Sequence, residues 1–143
     1  MATQRKVRSA RNIKPGNEPL PMEMTIAETL AERLDMHVLL RGSNVPGGDA
    51  LLVTATGRRF RAEFKTLHSS SARAFERNLR EASRQTGKYP GAVIIDARAI
   101  GTAATDAETY IDRAIELVSP HRPRLQEVIV ITNEKIIHRR LTR

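Results

Sequence analysis

Apolar and polar positions along the chain follow two periods, and the switches between them mark the elements. From Met24 on, Ile26, Leu30 and Leu34 recur at helical spacing, with Thr25 as N-cap and Glu28 as its capping-box partner. "MHVLLR" (36–41) reads as a strand, "GSNVPGG" (42–48) as a loop and "DALLVTAT" (49–56) as a second strand. Gly57 turns the chain and "RRFRAEFK" (58–65) returns as a third strand, so the second and third form an antiparallel hairpin. "SSSARAFERNLREASRQ" (69–85) is a helix with capping serines, Phe75, Leu79 and Ala82 on one face, and Arg73, Arg77, Arg80 and Arg84 on another. Gly87 and Pro90 end it. "GAVIIDA" (91–97) and "EVIVIT" (127–132) are buried strands, separated by an amphipathic helix, "DAETYIDRAIELVS" (106–119). "KIIHRRL" (135–141) is a last strand after the Asn133-Glu134 turn. The predicted order is α-β-β-β-α-β-α-β-β, an α/β fold with a mixed central sheet flanked by helices.

Residues 1–22 break the pattern. Arg5, Lys6, Arg8, Arg11 and Lys14 precede the first acid, Glu18, and Pro15, Pro19 and Pro21 interrupt regular structure. They predict a basic flexible arm or linker ahead of one domain over 23–143. The 143 residues suffice for a real hydrophobic core.

Charge narrows the class of partner. With 24 Lys and Arg against 16 Asp and Glu, the net charge is +8, which draws the chain toward polyanions and above all nucleic acid. Aromatic residues make up only 3%, too few for a base-stacking platform, so phosphates and shape carry the expected contacts. Cysteine is absent, which excludes disulfides, Cys-ligated zinc and thiol catalysis. No apolar run reaches the length of a membrane span, and no signal-peptide core follows the basic N-terminus; the cytoplasm is the expected place of action.

The candidate chemistry sits on the third strand. Phe60, Ala62 and Phe64 alternate with Arg61, Glu63 and Lys65, so Glu63 and Lys65 share one polar face. Asp49 opens the antiparallel partner strand just after Gly47-Gly48, within reach of both, and the three are expected to converge in a solvent-accessible notch. Two carboxylates there, Asp49 and Glu63, suit Mg²⁺ or a similar hard divalent cation, with room for water and a phosphate oxygen. Such a cation lowers the pKa of its water and neutralises charge growing on phosphate, while Lys65 assists the nucleophile or the transition state. The simpler alternative is a cross-strand ion pair with no catalytic use.

This combination resembles the PD-(D/E)xK nuclease superfamily, whose αβββαβ restriction-endonuclease-like core carries an Asp…Glu-x-Lys site; here an α-β-β extension would follow it. Gly48 stands where the family's name has Pro. The resemblance implies a supporting Gln on the following helix, for which Gln85 is the candidate, with Tyr89 as a weaker partner. The chain is more closely similar, over about residues 30 to 140, to the C-terminal tRNase domains of CdiA-type contact-dependent inhibition toxins. "GGDALLV", "RRFRAEFKTL", "RNLREASRQ", "AVIID" and "VIVIT" carry that likeness. It implies a toxin-like endonuclease delivered into a target cell, RNA and especially tRNA ahead of DNA as substrate, and an acidic immunity protein as partner.

Other residues extend or rival this reading. His68, at the end of the third strand, would serve with Lys65 and a Thr66 or Ser69 hydroxyl as the acid–base pair of a metal-independent RNase. Arg61 and the stripe Arg73, Arg77, Arg80 and Arg84 are candidate phosphate contacts, against the plainer reading of a solvated face. Asp96, at a strand end, is structural or site-supporting. A non-catalytic nucleic-acid-binding protein is the third alternative. Nothing in the sequence sets the oligomeric state.

Overall fold

A computed structural model describes residues 6–42, 48–85, 91–121 and 123–141. It is a mixed α/β fold: one seven-stranded sheet, in strand order β1 to β7, with helices on both faces. The strands are β1 (Val7–Ser9), β2 (His37–Leu40), β3 (Ala50–Val53), β4 (Arg59–Thr66), β5 (Gly91–Asp96), β6 (Leu125–Ile131) and β7 (Ile136–Arg140). The helices are α1 (Pro21–Leu34), α2 (Ala72–Gln85) and α3 (Ala104–Val118). The pairs β2–β3, β3–β4 and β6–β7 are antiparallel, while β1–β2, β4–β5 and β5–β6 are parallel. The antiparallel pairs β3–β4 and β6–β7 are joined by short turns, and the parallel pairs β4–β5 and β5–β6 through α2 and α3.

Alternation along the strands builds two cores. Phe64, Ala62, Ile94, Ile129 and Leu52 pack with Ile26, Ala27 and Leu30 of α1 on one face. Val93, Ile95, Val128 and Val130 pack with Phe75 and Leu79 of α2 and Ile111 of α3 on the other. Glu63 is in register with Val93, and Lys65 with Ile95, so both face the α2 side. In the middle of the sheet, Gly91 allows β5 to approach β4: a Cβ there would stand 2.6 Å from the Arg61 carbonyl oxygen.

The N-terminal segment departs from expectation. Val7–Ser9 forms a strand along β2, with Val38 N donating to Lys6 O at 2.8 Å and Ala10 N to Leu40 O at 2.7 Å. Val7 packs on the α1-side core and Lys6 pairs with Asp35, so within the flexible arm predicted over 1–22 the stretch from Lys6 to Ala10 is tied to the sheet. Helix α1 also begins earlier than predicted. Pro21 takes the first helical position, where its missing N–H costs nothing, and Thr25 lies inside the helix with its hydroxyl on Pro21 O. Glu23, not Glu28, closes the N-terminus, accepting the Leu20 N–H at 2.7 Å. Ser71 caps α2 by accepting the Ala74 N–H, and Glu134 from the β6–β7 turn accepts the first N–H of α3. Gly87, Tyr89 and Pro90, residues 43–47 of the predicted loop, and Arg143 lie outside the described residues.

Candidate functional site

The N-terminal turn of α1, the start of β3 and the middle of β4 meet at three carboxyl groups. Asp49 is placed by the chain around it. Its N–H donates to Ala62 O at 2.8 Å, and its carbonyl accepts the Arg41 N–H at 2.8 Å. Its side chain is pinned as well, because the Phe64 N–H donates to Asp49 Oδ2 at 2.8 Å. Gly48 makes this approach feasible. It has φ +102°, and a Cβ there would come within 2.8 Å of Ala62 O. Glycine at 48 is therefore a steric requirement of this backbone, which fits neither the fixed negative φ of proline nor a side chain.

Glu63 lies across from Asp49 and is only 7% exposed. Burial first, then the carboxyl–carboxyl hydrogen bond and the negative charge of Asp49, push Glu63 up to about 8, with Lys65 pulling the other way. Glu23 was not anticipated from sequence. It is 3% exposed, and burial together with Asp49 raises it to about 7, against the lowering effect of the Leu20 N–H. Two of the three acids thus hold protons near neutral pH, burial being the first cause and the neighbouring Asp49 the second. The cluster is more enclosed than the open notch expected: only Asp49 among the three is half-buried. The one available signal for Glu23 was Pro21 followed by an acid two residues on, the mark of a first helical turn.

Lys65 follows on the same face and is largely buried, its Nζ donating to Glu81 Oε2 of α2 at 3.5 Å. This contact identifies the flank of α2 that looks toward the site. At about 100° per residue, Ala74, Asn78, Glu81 and Gln85 form that flank. Gln85, the residue expected to support the site, is exposed at the last position of α2, and the contact with Lys65 comes from Glu81 one turn earlier. Arg61, on the Glu63 face of β4, is half-buried. Arg73, Arg77 and Arg84 are exposed, and Arg80 pairs with Glu76 at 2.8 Å. Their stripe lies opposite the buried Phe75, Leu79 and Ala82, so it points outward instead of into the carboxyl cluster.

His68 is exposed, beyond the end of β4 and about 10 Å of strand past Lys65. The structure does not bring it to the carboxyls. Asp96 is occupied otherwise, holding Arg98 through both oxygens at 2.9 Å while Arg98 donates to Thr29 of α1. That is a clamp between sheet and helix.

The donors at the cluster are all carboxylate oxygens, the chemistry of a hard cation. Among the described residues, no group of three or more His, Cys, Asp or Glu is arranged to hold a metal ion. The fit is with an ion of the Mg²⁺ type, held by the Asp49–Glu63 pair and completed by water and substrate oxygens, and not with a closed protein cage. The raised affinity of Glu63 and Glu23 for protons comes first from burial and then from the neighbouring Asp49.

No family model, curated protein or solved structure matches the chain. No helix among the described residues is long and apolar enough to cross a membrane.

Proposed function

We propose that the chain is a small basic endonuclease whose Asp49 and Glu63 hold a divalent metal ion, Mg²⁺ or a similar cation, and whose Lys65 faces the scissile phosphate. The observation that carries this reading is the meeting of Asp49, Glu63 and Glu23 in one buried cluster beside Lys65, with two of the acids raised toward neutral pH or above it. The order α1-β2-β3-β4-α2-β5 and the placement of the acids at the β3–β4 pair support the PD-(D/E)xK-like reading of the core. The net charge of +8 and the outward stripe Arg73, Arg77 and Arg84 support a polyanionic substrate. The preference for RNA, tRNA above all, and the expectation of a cognate immunity protein rest on the likeness to the toxin tRNase domains.

The bound cation would lower the pKa of a water molecule and neutralise charge on the phosphate. The chain's own residues do the rest. Asp49, fixed by the Phe64 N–H, and Glu63 present their oxygens from a rigid two-strand frame. Lys65 offers its ammonium to a non-bridging phosphate oxygen, where charge builds as the nucleophile attacks phosphorus and the leaving oxygen departs. Glu81 positions Lys65 from α2. The metal-independent alternative would use His68 with Lys65 and a Thr66 or Ser69 hydroxyl, and the same test separates it from the metal-dependent reading.

The test is incubation of total tRNA and of plasmid DNA with wild-type and Glu63→Gln protein, with Mg²⁺ or with EDTA. The proposal expects cleavage by the wild type with Mg²⁺ only, and none by the variant. Cleavage that persists in chelator removes the metal, and cleavage by neither protein removes the enzyme.

A further inference from the structure

On the opposite face of the sheet, beyond α1, a second buried acid gathers cations. Glu127 of β6 is 4% exposed. It receives Arg58 through both guanidinium nitrogens, with Nη2 at 2.9 Å from Oε2, and lies 3.3 Å from His138 Nε2 and 3.8 Å from Arg140 Nε. The Arg58 guanidinium also lies 4.9 Å from the centre of the Phe60 ring. One carboxylate therefore organises two guanidiniums and an imidazole, leaving a net positive surface. Its partners face solvent: the side chains of Arg58, His138 and Arg140 are 45%, 47% and 73% exposed. Arg139, the neighbour on β7, points to the other face and is taken by Asp112 and Glu108 of α3. On the Arg140 side of this strand two guanidiniums share the one carboxylate of Glu127, which leaves positive charge in excess.

We propose that Arg140, His138 and Arg58 form a second phosphate-contacting surface that anchors a folded nucleic acid away from the carboxyl cluster. The inference rests on the nuclease reading for its choice of ligand. A guanidinium edge pre-oriented by a desolvated carboxylate and an aromatic ring suits phosphate oxygens, because little side-chain freedom remains to be lost on contact. Along the register Ala62–Ala92–Glu127–Arg140, the patch lies about 10–15 Å across the strands from β4 and on the face away from Glu63. A ligand that touches both must spread its phosphates around the sheet. A structured RNA does so; a short single strand does not.

Binding is measured in the Glu63→Gln background, with total tRNA and with a short single-stranded oligonucleotide, over a range of salt. Arg140→Glu is expected to raise the Kd for tRNA about tenfold and to lower the salt slope by about one, leaving the oligonucleotide unchanged. Arg139→Ala, on the other face, is the control and should leave the Kd for tRNA within about twofold. Tight tRNA binding that Arg140→Glu leaves untouched overturns the inference, as does an equal loss for both ligands. If wild-type protein cuts nothing yet Arg140→Glu still weakens tRNA selectively, the nuclease reading falls and this surface stands.

Discussion

Glu63 and Glu127 are two buried glutamates of one sheet, nearly equal in exposure at 7% and 4%, and their surroundings are opposite in sign. Around Glu127, burial works to raise its pKa, but Arg58 and then His138 outweigh it and hold the carboxyl below its ordinary value. Around Glu63, burial is reinforced by Asp49 and Glu23, and Lys65 alone opposes them. Glu127 is a charge whose partners folded with it. Glu63 is a buried acid whose nearest charged neighbours are mostly acids, so it keeps its proton up to about pH 8. Desolvating an acid without a cation costs stability, and chains keep such an arrangement where the site has work to do.

The largest expected effect separates the two in activity. Glu63→Gln keeps the shape of a protonated carboxyl but loses the charge that would hold a cation, so cleavage should fall by about 10³-fold in a protein that stays folded. A variant that cuts at the wild-type rate would reduce the cluster to a packing feature. Glu127→Gln should show the reverse. It leaves Arg58 facing a neutral amide, and because Arg58 is half exposed the loss is discounted to about 2 kcal/mol. Urea denaturation measures it, and cleavage of a short oligonucleotide by the folded fraction should stay within about twofold of wild type. If Glu127→Gln unfolds no sooner than the parent, the Arg58 bridge contributes nothing net.

This contrast was half legible in the sequence. The alternation of Arg61, Glu63 and Lys65 against Phe60, Ala62 and Phe64 needs only the two-residue period of a strand, and the hairpin at Gly57 is enough to bring Asp49 across. Glu23 could not be placed that way. Its approach to Asp49 depends on how α1 crosses the sheet, and the prolines before it read as breakers until Pro21 proves to be the first residue of the helix. The same limit applies to Glu127, whose partner Arg58 is 69 residues away in the chain. Strand β1 is three residues long in a basic stretch, and only pairing with β2 makes it a strand. On α2 the arginine stripe lies opposite the buried Phe75, Leu79 and Ala82, as its period implies, but period alone does not say which flank meets Lys65, and Glu81 makes that contact.

Glu81 gives a smaller effect on the nuclease side of the comparison. If it positions Lys65, Glu81→Ala should lower kcat about tenfold and leave KM for RNA nearly unchanged, with Glu81→Gln recovering part of the loss because its amide oxygen can still accept from Lys65 Nζ. A change in KM alone would make Glu81 a substrate contact. Equal rates for all three proteins would leave Lys65 without need of a holder.

The smallest effect is on stability and carries opposite signs at the two glutamates. For Glu63 and Glu23 the folded pKa values, about 8 and about 7, lie above the ordinary 4.5, so the folded protein binds more protons than the unfolded chain between these limits. Their contribution is complete below about pH 4.5 and is lost as pH rises toward 8. In metal-free buffer Tm should therefore fall from pH 5 to pH 8. Glu127, held below its ordinary value, contributes above pH 4.5 and loses that contribution only as acid protonates it, so it shapes the acidic limb. Glu63→Gln should flatten the fall toward pH 8 and leave the acidic limb in place, while Glu127→Gln should do the converse. Millimolar Mg²⁺ sharpens the contrast, because a cation that binds the ionised pair must displace its protons: it should raise Tm at pH 8, barely at pH 5, and not at all in Glu63→Gln. A Tm gain that is the same at both pH values, or that survives Glu63→Gln, would place the cation elsewhere on the molecule and leave the carboxyl cluster a buried group of acids that simply shares its protons.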